Sequence, residues 1–333
     1  MKVLFIGGTG IISTSVSRLA VQAGIDLYHL NRGNRPERVP PGVKTITADI
    51  HKPADLATSL QAHSWDVVVD WIAFTPDHVE ADLDLVRWRT GQYIFISSAS
   101  VYQKPLSSLP ITESTPLDNP YWEYSRAKIA CEDRLVRAYR DEGFPITIVR
   151  PSHTYDKTLL PMHGGYTIID RMRTGKKVIV HGDGTSLWVL THHTDFARAF
   201  VGLLGNHRAI GEVFHITSDE LLTWNQIFTL LAHAAGCQAH IVHVPSDLIA
   251  AFDPEWGAGL LGDKAHSMIF DNSKIKRLVP DFVATVPFWR GAEEIIAWYD
   301  ADPARQTVDE NLDRLMDQII HACESAWPLH RSG

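Results

Sequence analysis

Tyr124-Ser125-Arg126-Ala127-Lys128 sets a phenol and an ammonium four residues apart. On a helix that spacing puts both side chains on one face. A free tyrosine, with a pKa of about 10, is a poor base at neutral pH. A neighbouring ammonium favours the phenolate and brings proton transfer toward the working range. A serine hydroxyl within reach could bind the same substrate oxygen, and Ser97-Ser98-Ala99-Ser100-Val101-Tyr102 supplies candidates. A second cluster, Gly7-Gly8-Thr9-Gly10-Ile11-Ile12-Ser13, lies between an apolar run and a helical pattern. Glycines there let the backbone approach a diphosphate, and the helix N-terminus offers free N–H groups to the anion. No Lys-Ser or Lys-Thr follows the last glycine, so the loop is not of the ATP-binding type.

The elements that must carry these residues follow from periodicity. Lys2–Ile6, Asp26–Leu30, Lys44–Thr47, Asp66–Asp70, Tyr93–Ser97 and Pro145–Arg150 read as strands. Ile12, Val16, Leu19 and Ala20 mark a helix that Gly24 can end, and a long helix is expected from about Trp122 to Arg140. Strands alternating with helices imply βαβ units, so the expected fold is α/β, a Rossmann-type doubly wound parallel sheet. After Pro151 the rhythm breaks. A strand at Lys177–Val180, a helix over Thr194–Leu204, a strand at Val213–Ile216 and a helix over Trp224–Ala235 are expected there. The smaller C-terminal substrate domain is therefore discontinuous. Residues 1–155 and about 192–235 are assigned to the cofactor domain, and about 156–191 and 236–300 to the substrate domain. Residues 301–333 form a helical extension, in which Leu312, Leu315, Met316, Ile319, Ile320 and Cys323 share one face.

Strand two ends in Asn31-Arg32, where dinucleotide sites often carry an acidic residue for the ribose 2′-hydroxyl. With that carboxylate missing and a cation present, the pattern favours NADP while permitting NAD. Asp49 and Ile50, after strand three, could reach the adenine. The 333 residues carry 31 basic and 39 acidic side chains, a net charge of −8, which argues against broad nucleic-acid binding. Three scattered cysteines give neither a disulfide framework nor a metal knuckle, and no histidine spacing suggests a metal. No window suits a membrane span and the opening residues are too short for a signal-peptide core, so a cytoplasmic location is expected. Trp122 and Trp188 adjoin the motif segments and could stack on a sugar or flat ring.

Together the Gly-Gly-Thr-Gly loop, Ser-Ser-Ala-Ser, Tyr-x-x-x-Lys and Arg150-Pro151 resemble the extended short-chain dehydrogenase/reductase superfamily, in its NAD-dependent epimerase/dehydratase branch. The resemblance implies that Ser98, Tyr124 and Lys128 are catalytic. It implies further that Gly7, Thr9, Gly10, Ile11 and Ile12 line the diphosphate. Ala73, Phe74 and Ser97 would lie along the cofactor, and Pro151, Ser152 and His153 would pass near the nicotinamide. Ser100, Tyr102, Trp122, His153 and Trp188 are the candidates for substrate contact. A homodimer and a small-molecule substrate, with a sugar as one option, go with that family. The departures bear on the substrate. Dehydratases of the family place an acidic pair beside the serine, where this chain has Ala99-Ser100. Nucleotide-sugar enzymes carry an Arg after the Gly-Asp-Gly turn, where this chain has Leu187-Trp188. The expected activity is redox or epimerisation at a hydroxyl or keto carbon. The alternative is an RNA- or partner-binding protein, because a branch of chloroplast stem-loop-binding proteins shares the same loop style.

Overall fold

The computed structural model describes residues 1–50, Leu56 and 63–326. Its strands are β1 (Lys2–Ile6), β2 (Asp26–Asn31), β3 (Lys44–Thr47), β4 (Val67–Asp70), β5 (Tyr93–Ile96), β6 (Ile146–Pro151), β7 (His153–Tyr155), β8 (Lys177–His181), β9 (Leu187–Trp188), β10 (Leu190–His192), β11 (Val213–Ile216), β12 (Leu222–Thr223) and β13 (His240–Val244). Seven of them form one sheet in the order β11-β6-β5-β4-β1-β2-β3. Every neighbouring pair in it is parallel. The chain steps outward from β1 to β3, then crosses to β4 on the other side of β1. The loops leaving β1 and β4 therefore diverge, and a crevice opens at the carboxyl ends of the strands.

Fully apolar runs such as Val67–Val69 suit strands covered on both faces. Val3, Phe5, Val67, Val69, Ile94 and Val149 face α1 (Ile11–Gln22) and a helix over His193–Val201, meeting Val16, Ala20, Phe196 and Phe200. Leu4, Ile6, Val68, Tyr93, Phe95 and Ile148 point the other way. They pack against α2 (Pro76–Val86) and α3 (Glu123–Glu142) through Val79, Leu83, Leu135 and Ala138. The strand period of two thus separates the two faces.

A third core belongs to the cap. Its helices include α4 (Tyr166–Arg173); the His193–Val201 helix is α5 and belongs to the sheet. The later helices are α6 (Trp224–Ala234), α7 (Ser246–Phe252), α8 (Pro254–Gly259), α9 (Ser273–Leu278), α10 (Phe288–Asp300) and α11 (Glu310–Ser325). Tyr155, Ile169, Trp188, Trp224, Phe288 and Ile295 are buried in the cap core, beside the parallel pair β8–β13. Here the structure differs from the expected division. Helix α6, assigned to the cofactor domain, buries Trp224, Ile227, Phe228 and Leu231 in the cap. The reason is the antiparallel pairing of β12 with β9, which turns the chain out of the sheet just before α6. A capping box of Thr223 and Gln226 then starts the helix in its new direction.

The C-terminal helix is part of the cap core. Asp309 caps α11, and Met316, Ile319, Ile320 and Cys323 are buried beneath it. The buried Arg171 of α4 donates to Asp313 Oδ1 at 2.5 Å and Asp317 Oδ1 at 2.6 Å. Its Nε donates to the Lys177 carbonyl at 2.8 Å. Residues 327–333 of the expected extension lie outside the described residues. Asp313 and Asp317 are partly exposed, so losing these pairs costs about 1 kcal/mol, to which the lost packing of the buried arginine stem adds. Arg171→Ala is therefore expected to lower the melting temperature by several degrees and to speed amide exchange in Glu310–Ser325 while leaving the sheet protected. Unchanged exchange in that helix would show that Arg171 does not anchor it.

Candidate active site

The crevice between β1 and β4 begins at the glycine loop. Gly7 and Gly8 both have φ of +96°, in the left-handed region that side-chain-bearing residues rarely adopt. A Cβ on Gly7 would meet Ile72 Cγ2 at 2.9 Å, and one on Gly8 would meet the His29 ring at 2.8 Å. Gly10 is the N-cap of α1, and its N–H donates to Ser13 Oγ at 2.8 Å. The floor of the loop is His29. The Ser17 hydroxyl donates to the Ser13 carbonyl at 2.7 Å, so His29 Nε2–H must donate to Ser17 Oγ, 2.8 Å away. Burial lowers the His29 pKa to about 4, so the imidazole is neutral.

A cavity of about 620 Å³ runs outward from this loop. Gly7, Thr9, Gly10 and Ile12 line its floor, with Asn31 and Arg32 on one side and Asp49 and Ile50 beyond. Phe74 and Ile96 close its inner end. Of the other expected cofactor residues, Ile11, Ala73, Ser97, Pro151, Ser152 and His153 do not line this cavity, nor do Tyr124 and Lys128, which stand just past Ile96. The residues present fit a dinucleotide. The loop is a cradle that a Cβ would fill, and the N-terminus of α1 faces it. Asn31 Nδ2 is buried without a hydrogen-bond partner, while Asn31 Oδ1 accepts from Gly33 N–H at 2.8 Å. Arg35 joins exposed Arg32 in the lining.

Helix α3 carries Tyr124 and Lys128 one turn apart. The Lys128 ammonium is 2% exposed and donates to the carbonyls of Ala73 at 2.6 Å and Ile96 at 2.8 Å. It lies 4.6 Å from the Phe74 ring centroid and 5.9 Å from that of Tyr124. Burial lowers its pKa to about 8. That depression from the usual 10.5 corresponds to about 3 kcal/mol. Burial likewise raises the Tyr124 pKa, while a hydrogen bond with the Ser98 side chain pulls it back and the charge of Asp263 pushes it up.

Ser98 is the end of a chain of hydroxyls. Ser125 donates to Ser100 Oγ at 2.7 Å, and Ser100 Oγ lies 2.9 Å from Ser98 Oγ. Ser125 has spent its proton on Ser100, which leaves the Ser100 proton for Ser98 and the Ser98 hydroxyl for Tyr124. Ser100, expected to touch substrate, is instead buried behind Ser98. Ser125 escaped the sequence reading because its role depends on a loop folding beneath the helix. Tyr102, another substrate candidate, is wholly buried. Its hydroxyl donates to His215 Nδ1 at 3.1 Å, and the Arg150 guanidinium covers its ring at 4.9 Å.

A second cavity, of about 340 Å³, opens on the cap side. Trp122, Trp224, Trp256 and His153 wall it, and Lys264 is the one lysine or arginine lining it among the described residues. Trp188 stands behind this wall, donating Nε1–H to His153 Nδ1 at 3.3 Å. Burial lowers the pKa of His153 to about 3 and of His181 to about 4, and it lowers that of His163 as well, so the three histidines lining this cavity are neutral. The cap is sewn to the sheet domain by Asn119, a residue the motifs did not reveal. Its Nδ2 donates to the carbonyls of Ser100 at 2.8 Å and Gly262 at 2.7 Å, while Oδ1 accepts from Trp122 N–H at 3.1 Å. Gly262 must lack a side chain, since a Cβ there would meet Trp122 Cβ at 2.7 Å. Among the described residues no group of three or more His, Cys, Asp or Glu could hold a metal ion, and no helix is long and apolar enough to cross a membrane.

The chain matches the NAD dependent epimerase/dehydratase family over residues 3–217. It is 26% identical over 294 residues to a 2'-dehydrokanamycin reductase of Streptomyces kanamyceticus, covering 85% of this chain and 80% of the relative. It is 29% identical over 257 residues to the chloroplast stem-loop binding protein of 41 kDa b of Arabidopsis thaliana, covering 73% of this chain and 65% of the relative. The fold is shared with epimerase Mth375 of Methanothermobacter thermautotrophicus, with a TM-score of 0.75, 16% identity and coverage of 91% and 93%. It is shared also with the UDP-glucuronic acid 4-epimerase of Bacillus cereus, solved with UDP-glucuronic acid and NAD. That likeness has a TM-score of 0.72, 20% identity and coverage of 90% and 99%. With a seven-stranded parallel sheet, a glycine-cradled crevice and a family match over most of its length, the chain belongs to the NAD-dependent epimerase/dehydratase family and is an NAD-dependent enzyme of the extended short-chain dehydrogenase/reductase type.

Proposed function

We propose that the protein reduces a ketone, or oxidises the matching alcohol, on a sugar-like small molecule that carries no nucleotide diphosphate, and that it prefers NADP. The observation that carries this reading is the buried Lys128 one turn from Tyr124 on one helix, beside the hydroxyl chain that ends at Ser98. A structural side chain at position 128 could be apolar and would avoid the burial cost of the charge. In the reductive direction Tyr124 gives its proton to the carbonyl oxygen, and Ser98 donates a hydrogen bond to the same atom. Lys128 stabilises the phenolate left behind. Bound nicotinamide supplies the hydride. The match to a reductase over 85% of the chain favours net redox over epimerisation.

The cap supports a substrate without a diphosphate. Its cavity offers one ammonium, Lys264, which already lies 3.9 Å from Asp263 and 5.5 Å from the Trp122 ring. No guanidinium lines it among the described residues, so bidentate phosphate bonds are missing. Indole faces suit a sugar ring. Arg32 and Arg35 beside Asn31 support NADP, since they would meet a 2′-phosphate that a carboxylate would repel. A cytoplasmic homodimer goes with this reading. A second reading, an RNA-binding protein, is favoured by the likeness to the stem-loop binding protein. The net charge of −8 and the assembled Ser98, Tyr124 and Lys128 weigh against it.

Tyr124→Phe is expected to lower kcat by about 10²- to 10⁴-fold with cofactor affinity kept. Full turnover in that variant would overturn the role of Tyr124. The pH profile follows from Lys128. Its pKa is depressed to about 8, so the ammonium is charged below that pH and lost above it, while Tyr124, with a raised pKa, keeps its proton throughout. Ketone reduction should be flat toward acid and fall as pH rises through about 8. Arg32→Ala should weaken NADP binding by about tenfold, the loss of roughly 1.4 kcal/mol, and leave NAD binding nearly unchanged. Equal losses for both cofactors would refute the NADP preference.

A further inference from the structure

We propose that Asp70 is a positioning residue for Lys128, supplying its counter-charge and fixing the backbone carbonyl that the ammonium grips. The inference rests on the role given to Lys128 under Proposed function.

Asp70 closes the apolar strand β4 at the crevice and is 2% exposed. One of its oxygens, Oδ1, accepts from Ile72 N–H at 2.5 Å and Ala73 N–H at 2.9 Å. The carbonyl of that same Ala73 receives the Lys128 ammonium at 2.6 Å. The carboxylate and the ammonium thus hold the two ends of one short turn, so a shift of Asp70 moves the acceptor of Lys128. Asp82 stands behind on α2 and is 1% exposed. Its Oδ2 accepts from the Tyr93 hydroxyl at 2.5 Å. Its Oδ1 is buried with no hydrogen-bond partner, and the charge of Asp70 acts on it.

Burial and the charge of Asp70 hold the Asp82 carboxyl far above the usual carboxylate range, so Asp82 keeps its proton. Asp70 meets two backbone N–H donors at Oδ1. The other groups facing Lys128 cannot take its place. The Cys131 thiol is pushed up to about 12 and is neutral. Glu132 is committed to Arg150, with an oxygen 2.5 Å from Nη2. Tyr124 is neutral until it reacts. Asp70 is the largest influence opposing the burial of Lys128.

The test is carbon-13 NMR of the full-length protein labelled at lysine Cε and aspartate Cγ. At pH 7 Asp82 is expected to be protonated. A charged Asp82 overturns the proposal, because the counter-charge of Lys128 would no longer belong to Asp70 alone. In Asp70→Asn the titration of Lys128 should fall by at least about one pH unit, and the alkaline limb of the pH–rate profile should move down with it. Asp82→Asn, which can still accept from Tyr93, should leave both where they are. An unmoved Lys128 titration in a folded Asp70→Asn protein refutes the positioning role, whatever becomes of Tyr124→Phe. Full turnover by Tyr124→Phe would instead remove the proposed function and leave the lysine titration to be read by itself.

Discussion

A charged ammonium held in a dry crevice is the constraint on which the rest of this structure turns. Lys128 is 2% exposed and sits among Phe74, Phe95 and the Tyr124 ring. Keeping it charged against burial costs about 3 kcal/mol, a large fraction of the stability of an ordinary domain. The fold offsets this with two carbonyls, those of Ala73 and Ile96, which come from the ends of adjacent strands. The parallel pairing of β4 and β5 brings their carboxyl ends side by side under one helix. The long crossover from β5 to β6 through α3 then delivers the lysine from above. The order of the strands and the position of the charge are the same fact seen at two scales.

The cap depends on that geometry rather than adding to it. Asn119 spends both amide protons on carbonyls of two different domains, Ser100 and Gly262. Its oxygen holds the N–H of Trp122 at the start of α3. The hydroxyl chain beneath Tyr124, the first turn of α3 and the π-helical turn at Leu260–Lys264 therefore move as one body. A second buried group stiffens the far side. Arg150 pairs with Glu132 on α3 and covers Tyr102, whose hydroxyl is fixed by His215. These contacts explain why so many polar side chains lie in the core around the crevice. Most of them satisfy one another through these pairs.

Legibility in the sequence followed the range of each interaction. The glycine loop, the strand–helix alternation and the tyrosine–lysine pair are local patterns, set by backbone sterics and by the 3.6-residue period, and they could be read directly. What needed the third dimension could not. Ser100 and Tyr102 lie two and four residues past Ser98, which makes them look like site residues. The 3-10 turn at Ala99–Val101 instead rotates both inward, toward Ser125 and His215. Trp188 adjoins the cap pocket in sequence and stands one layer behind it in space. Helix α6 follows a sheet strand yet packs in the cap, because the pairing of β12 with β9 reverses the chain between them. Asp70 offered a faint signal, a carboxylate closing a run of three valines, where burial alone would select another apolar residue.

The same contrast bears on how such a chain changes its substrate while keeping its chemistry. The crevice residues are mutually constrained, since altering Gly8 collides with His29 and altering Gly10 disturbs the Ser13 contact at the start of α1. The cap pocket is constrained at its base by Gly262 and Asn119, but its walls are side chains of separate elements: Trp122 before α3, Trp224 opening α6 and Trp256 in α8. Each indole can be exchanged without breaking a backbone hydrogen bond to the crevice. Buried histidines held neutral there add shape and hydrogen-bonding capacity without adding charge. A cavity built this way can lose its affinity for a diphosphate, and gain one for an uncharged ring, with no cost to the ammonium at Lys128. Selection on substrate and selection on proton transfer therefore act on different layers of the molecule, joined at Asn119.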